Sequence, residues 1–253
     1  MDYTPLREVR MIGSERTSQF TRALIELRAL ILGGAFASND RLPETALAER
    51  LNLSRTPLRQ AMDRLVEEGL LDRIETGGCR VASFSMDDII DAIELRGVLE
   101  GTAARLAAER GADPEGVARC RLVLDGLDRA VSGRTGLNFR AYVSLNEEFH
   151  DLIANLSGSS IVAREVARAS RLPVASPSAF LRGQELIPDF QASLRRAQHQ
   201  HRTIFEAILA REGARAEALA REHARLARTN LEYVMREKPD LAERVPGLAL
   251  VAD

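Results

Sequence analysis

The chain carries four histidines, His150, His199, His201 and His223, all in its second half. Imidazole can move protons, ligate a metal or sit hydrogen-bonded in a core, so spacing has to separate these roles. Asn146 and His150 are one helical turn apart and share a face if the segment is a helix, beside an apolar stripe of Leu145, Phe149, Leu152 and Ile153. His201 precedes Ile204, Phe205 and Ile208 in a second such segment, and His223 falls in a third. Three imidazoles and an amide or carboxylate oxygen from three helices form a set for a divalent metal, with imidazole suiting zinc or nickel. Spacing alone leaves open that each histidine is simply hydrogen-bonded in a core or at the surface. His199, two residues from His201, points about 200° away around a helix and is expected at the surface.

A second constellation is Arg55 and Arg59, one turn apart at the start of the run Ser54 to Gly69. Leu58, Ala61, Met62, Leu65 and Val66 give that run one apolar stripe, Ser54 is a favoured N-cap, Pro57 is tolerated in a first turn, and Gly69 is placed to stop the helix. Arginines beside free first-turn amides suit a phosphate or a guanine edge. For two isolated arginines a solvated surface face is the alternative.

The flanking elements bear on that choice. Pro43 to Leu51 reads as a short amphipathic helix, and Asn52-Leu53 as the tight turn before Ser54, a helix-turn-helix. Leu70 to Ile74 and Cys79 to Ala82 read as two strands around Glu75-Thr76-Gly77-Gly78, a hairpin wing. Thr17 to Ile31, with Phe20, Leu24, Leu27 and Ile31 on one face, reads as a supporting first helix. After Ser85, which can cap with Asp88 in place of the usual Glu, the sequence shows no strand pattern. It breaks into helices over 87–109, 114–131, 138–156, 159–172, 188–211 and 214–236, punctuated by Asp113-Pro114, the loop Ser132 to Gly136, Ser157-Gly158, Pro173 and Gly213. A further helical turn is expected at 179–182. Short connections between antiparallel helices make a bundle.

The fold expectation is therefore mainly α: an N-terminal winged helix-turn-helix with a small β-hairpin wing, then an all-α antiparallel bundle. Residues 1–16 are expected as a mobile arm, 17–84 as the winged domain, 85–236 as the helical domain and 237–253 as a tail without regular structure. At 253 residues the chain is long enough for two domains, and 45% apolar content with 4% aromatics and no Trp favours helices packed through Leu, Ala, Ile and Val. A net charge of −2, with twelve acids and twelve bases in residues 1–85, means that DNA affinity has to come from a local patch used by a dimer. Cys79 and Cys120 are too few for a disulfide framework, and with no signal peptide or long apolar run the expectation is a cytoplasmic protein with reduced thiols and no membrane partner.

The run Arg41-Leu42-Pro43-Glu44, Leu47-Ala48, Ser54-Arg55-Thr56-Pro57-Leu58-Arg59, Leu65, Glu68-Gly69-Leu70 and Gly78 resembles the DNA-binding domain of the GntR family of bacterial transcription regulators. The resemblance implies that Ser54, Arg55, Thr56 and Arg59 contact a double-stranded, palindromic operator, with Gly77 and Gly78 letting the wing approach the minor groove. Family members often carry an arginine where this chain has Thr45.

A second stretch, Glu94-Leu95-Arg96-Gly97-Val98-Leu99-Glu100, Asn146 with Phe149-His150, His201 with Ile204 and Ala207-Ile208, and the late His223, resembles the FadR C-terminal domain, FCD. This implies that Asn146, His150, His201 and His223 hold a divalent metal, zinc first and nickel or another ion as alternatives. A small carboxylic acid effector would complete its coordination and pair with Arg96, whose planar fork suits a carboxylate. Many members have aspartate at the Asn146 position; a neutral amide removes one negative charge from the set.

The expected function is a homodimeric, ligand-responsive transcription regulator, a repressor, and not an enzyme. The alternatives are a metal-dependent enzyme using the three-histidine site, or a bundle stapled by a purely structural metal. Against an enzyme, no nucleophile motif or glycine-rich phosphate loop occurs, Glu147 and Glu148 lie on other helix faces, and no carboxylate is evidently paired with the histidines as a base.

Overall fold

The structure, a computed structural model, describes residues 6–132, 137–171, 175–177, 188–237 and 248–251. Its order is α1 (Leu6–Leu32), α2 (Glu44–Leu51), α3 (Arg55–Glu67), β1 (Leu71–Arg73), β2 (Cys79–Val81), then α4 (Met86–Arg110), α5 (Pro114–Ser132), α6 (Phe139–Leu156), α7 (Ser160–Ala169), α8 (Pro188–Leu209) and α9 (Gly213–Glu237), with a short 3₁₀ turn at Leu248–Leu250. The chain divides into two compact units, Met1–Phe84 with Ala249–Asp253, and Ser85–Leu248. The fold class is a winged helix-turn-helix followed by a helical bundle.

In the first unit, α1 packs on α3 and α3 on α2 and β1. Leu27, Ile31, Leu47, Leu58, Met62, Leu65, Leu71 and Val81 make its core. Asn52 closes α2 in the left-handed region at φ 50°, which asparagine tolerates and which turns the chain sharply into α3. The wing is antiparallel with Leu71 opposite Val81 and Arg73 opposite Cys79. Gly77 and Gly78 have φ of 97° and 86°, which residues with a Cβ rarely adopt, so the tip depends on them.

Two expectations change here. Residues 1–16 are expected as a mobile arm outside the first helix, whereas α1 begins at Leu6. The missing apolar period says that this stretch has no face to bury, not that it cannot be helical; nothing between Leu6 and Thr17 breaks a helix except Gly13, which costs only about 1 kcal/mol relative to alanine. The tail also has structure. Leu250 is fully buried in the core of the first unit, its carbonyl accepts from Phe84 N at 3.0 Å, and Phe84 and Val251 form a parallel bridge.

In the second unit, α4 packs against α9, α6, α7 and α8, while α5 packs on α6 and α8. Its N-terminus is closed by a full capping box between Ser85 and Asp88. α7 stops at Ala169, short of the expected Leu172, and α8 at Leu209, because Arg211 turns left-handed at φ 65°. Gly213, expected as a break, is the first residue of α9. Ser132, expected in a loop, is the last residue of α5; the rest of that loop, 133–136, and the expected turn at 179–182 lie outside the described residues.

Candidate functional site

In the second unit α4 and α9 approach closely, and glycine permits it. A Cβ on Gly97 would sit 2.8 Å from Ala224 Cβ, and one on Gly101 would sit 2.9 Å from Arg221 Cγ. This close approach puts Arg96 and Glu100 of α4 next to His223 of α9, with Asn146 and His150 of α6 and His201 of α8 completing the group. All six are buried.

One nitrogen from each of His150, His201 and His223 can be chosen so that all lie within 4.8 Å of one another. The other nitrogen of each ring is held by an oxygen. His150 Nδ1 is 3.0 Å from Glu100 Oε1, His201 Nδ1 is 3.1 Å from Gln198 Oε1, and His223 Nδ1 is 3.0 Å from Gln200 Oε1. When each ring donates Nδ1–H to that oxygen, the Nε2 lone pairs face inward, and the Nε2 atoms of His201 and His223 are 3.0 Å apart. Two such lone pairs repel unless something positive lies between them. Nitrogens at about 2.0–2.1 Å from one tetrahedral zinc lie about 3.3 Å from each other, so the donor set fits a divalent ion of that size.

Electrostatics agree with ligation by neutral imidazole. Burial, followed by the neighbouring His223 and His150, holds His201 well below its ordinary value; burial and then His150 hold His223 down to about 3. Burial opposes ionisation of Glu100, but Arg96 and His150 outweigh it and keep the carboxyl well below the usual carboxylate range. Arg96 Nη1 donates to both Glu100 oxygens at 2.9 Å, while Arg96 Nε has no hydrogen-bond partner among the described residues. Asn146 Nδ2 donates to Pro177 O at 3.3 Å, which orients its amide. A small cavity of about 40 Å³ is lined by Arg96, Tyr142, Asn146, His150, His223 and Asn230. His199 is exposed on α8, away from this group.

The reading that no carboxylate pairs with the histidines is corrected by Glu100. It stands on α4, behind His150 rather than open to the cavity, and both its oxygens are engaged. Glu100, Gln198 and Gln200 were missed as site residues. The spacing of Arg96 and Glu100, one turn apart, was a signal for the first, and Gln198 at three residues before His201 was one for the second.

In the first unit, Ser54 occupies the N-cap of α3 as expected, without a capping bond from its hydroxyl. Arg59 Nε is 2.7 Å from Glu44 Oε2 and Arg55 Nη2 is 3.2 Å from Thr45 Oγ1, so the first two residues of α2 hold both arginines at the exposed end of α3. Thr56 sits exposed between them. At the wing, Arg41 Nη2 donates to Gly77 O at 2.8 Å.

The model of the FCD domain matches residues 91–226, more than half of the chain, and that of the bacterial regulatory proteins of the gntR family matches residues 21–81. The HTH-type transcriptional repressor GlaR of Escherichia coli (strain K12) is 29% identical over 198 residues, covering 76% of this chain and 86% of its own. An uncharacterized HTH-type transcriptional regulator in an unstable DNA locus of Streptomyces ambofaciens is 30% identical over 228 residues, 86% of each chain. In two other relatives the matched stretch spans only 58% and 62% of their length. Among solved structures, E. coli McbR/YncC shares the fold with a TM-score of 0.62 at 21% identity, over 87% of this chain and 98% of that one.

Proposed function

Because the chain belongs to the GntR family of bacterial regulatory proteins and carries an FCD domain, we propose that its operator affinity is controlled by a small organic acid bound beside a divalent metal in the helical unit. The chain is a DNA-binding transcription regulator, as are its relatives, and those relatives are not enzymes.

One observation carries the finer reading: three buried imidazoles with their lone pairs converging, beside a buried arginine with an unpaired Nε. His150, His201 and His223 would hold the ion through nitrogen and Asn146 through its amide oxygen. The ion would supply an open coordination position for an acid, zinc being the first expectation. Arg96 Nε would donate to the acid's carboxylate and so offset the burial of its charge. A purely structural ion would leave that donor unexplained.

In the first unit, Arg55 and Arg59 with Ser54 and Thr56 would meet the DNA major groove, and Gly77 and Gly78 would bring the wing to the minor groove. A two-fold homodimer would read a palindrome, and the acid would act by favouring one placement of its two winged units. Relatives include a repressor and an activator, and we assign repression, with the acid releasing DNA. No described helix is long and apolar enough to cross a membrane, and a cytoplasmic location fits a protein that works on DNA.

The test is thermal denaturation against a panel of small carboxylic acids, before and after chelation, with DNA binding measured alongside. An acid at about 100 times its dissociation constant stabilises by roughly 2.7 kcal/mol. A shift that vanishes on chelation, coupled to weaker operator binding, supports the proposal. Bound metal without response to any acid replaces it with the structural-metal reading, and an acid that strengthens operator binding overturns the direction assigned.

A further inference from the structure

Resting on that metal site, we infer that Gln198 is a positioning residue which fixes the tautomer of His201 before any ion arrives, from a carboxylate on a different helix. The argument uses only what each atom can donate or accept. Gln198 Nε2 lies 3.1 Å from Leu124 O and 2.7 Å from Asp128 Oδ1. A backbone carbonyl accepts and does not donate, so the group facing Leu124 O is the NH₂ of the amide. The usual ambiguity of amide orientation is thereby removed.

With its NH₂ committed to α5, Gln198 turns its Oε1 to His201 Nδ1 at 3.1 Å. Oε1 cannot donate. His201 is therefore the Nδ1–H tautomer, and its Nε2 carries a lone pair toward His223. Glu100 imposes the same tautomer on His150, since its oxygens already accept from Arg96. His223 differs. Its Nδ1 faces Gln200 Oε1 at 3.0 Å, and among the described residues no second hydrogen bond orients Gln200.

Asp128 is itself held. Arg202, next to His201 in the chain, donates from Nε to Asp128 Oδ2 at 3.0 Å and from Nη2 to both Asp128 and Asp125. The chain of contacts runs Arg202, Asp128, Gln198, His201, and it clamps α8 to α5. Gln198 does not line the cavity and would not itself ligate the ion; it acts through His201, which it touches. Outer partners of this kind change metal affinity by roughly 10–100-fold.

The experiment uses the full-length, chelated protein, with ring-nitrogen NMR on ¹⁵N-histidine samples and zinc titration against a competing chelator. His201 signals are assigned by their loss in His201→Ala. In the wild type His201 is expected as Nδ1–H. Gln198→Met, which keeps the length but removes the amide, should abolish that preference and weaken zinc binding at least roughly tenfold. Its ion-free melting temperature serves to separate positioning from packing.

An Nε2–H tautomer at His201 in the wild type overturns the inference, as does unchanged zinc affinity in Gln198→Met. Absence of zinc binding by the wild type would remove the proposed metal site and this inference with it, an outcome separate from the others because it appears before any variant is made.

Discussion

Arg96 holds both oxygens of Glu100 through Nη1 alone, 2.9 Å to each, and its buried Nε is left without a partner among the described residues. A buried unmet donor costs about 1–3 kcal/mol, so a ligand that satisfies it gains correspondingly. Lysine can keep the ion pair but has no fork to divide between two partners. Arg96→Lys is therefore expected to fold and to weaken binding of the effector acid by at least about tenfold, one hydrogen bond to a charged group. Arg96→Ala should cost about 3–5 kcal/mol, because it strips Glu100 of its cation. Calorimetric titration and denaturant unfolding check the two; full effector affinity in Arg96→Lys would exclude Arg96 from the acid's site.

The pairing of Arg59 with Glu44 is solvent-screened, and such pairs contribute little to stability. Arg59→Ala should accordingly leave the melting temperature nearly unchanged while costing about 1–3 kcal/mol of operator binding if Arg59 reads a base. If it meets a phosphate instead, the salt dependence should fall by about one unit of slope. Glu44→Ala, which removes a carboxylate competing with DNA for Arg59, should tighten binding to unrelated sequences. Fluorescence anisotropy over a salt series reads all three, and an Arg59→Ala protein with wild-type affinity would remove Arg59 from the interface.

Acid should destabilise the metal-free protein from an unusually high pH. Burial holds His201 well below 6.5 and His223 down to about 3 in the native state, whereas both take protons near 6.5 once unfolded. Between about 6.5 and 3 the unfolded chain binds more protons, so stability falls as pH is lowered, by up to about 1.4 kcal/mol per pH unit for each histidine. Glu100, held low by Arg96 and His150 against the effect of its burial, acts in the same direction: its contribution is present above about 4.5 and is lost below. Unfolding by urea at a series of pH values, with His201→Leu as comparison, checks the slope. A flat profile between pH 6.5 and 5 in the chelated wild type would show that these rings are not buried neutral.

The tail is part of the first unit's core. Leu250 is fully buried among residues that include Leu27, Leu58 and Val81. Leu250→Ala should cost about 2–5 kcal/mol, confined to that unit. Hydrogen exchange should quicken in β2 and α3 and stay unchanged in α6. Zinc affinity should not move; an α6 that exchanges faster in this variant would contradict the confinement.

Much of this protein was legible without coordinates because local chemistry fixed it. Caps, stop signals and apolar periods set the helices, as with Ser85 before α4 and Asp113-Pro114 before α5. The glycine pair at 77 and 78 set the wing. The histidines and arginines could be singled out because each sits at a helical register that short-range periodicity reveals. Where that periodicity is absent, at Leu6 to Thr17 and at Leu250, the sequence points to no element, since a helix needs no buried face and a single leucine leaves no pattern.

What the sequence determined by itself is thus which residues share a face. Tertiary packing decided which faces meet. The close approach of α4 and α9 at Gly97 puts Glu100 behind His150, and Asp128 on α5 orients Gln198 on α8, 70 residues further along the chain. Glu44 occupies Arg59 in the same way. These pairings depend on interhelical distances of a few ångströms, set by side-chain volumes throughout the core, and no spacing along one helix encodes them.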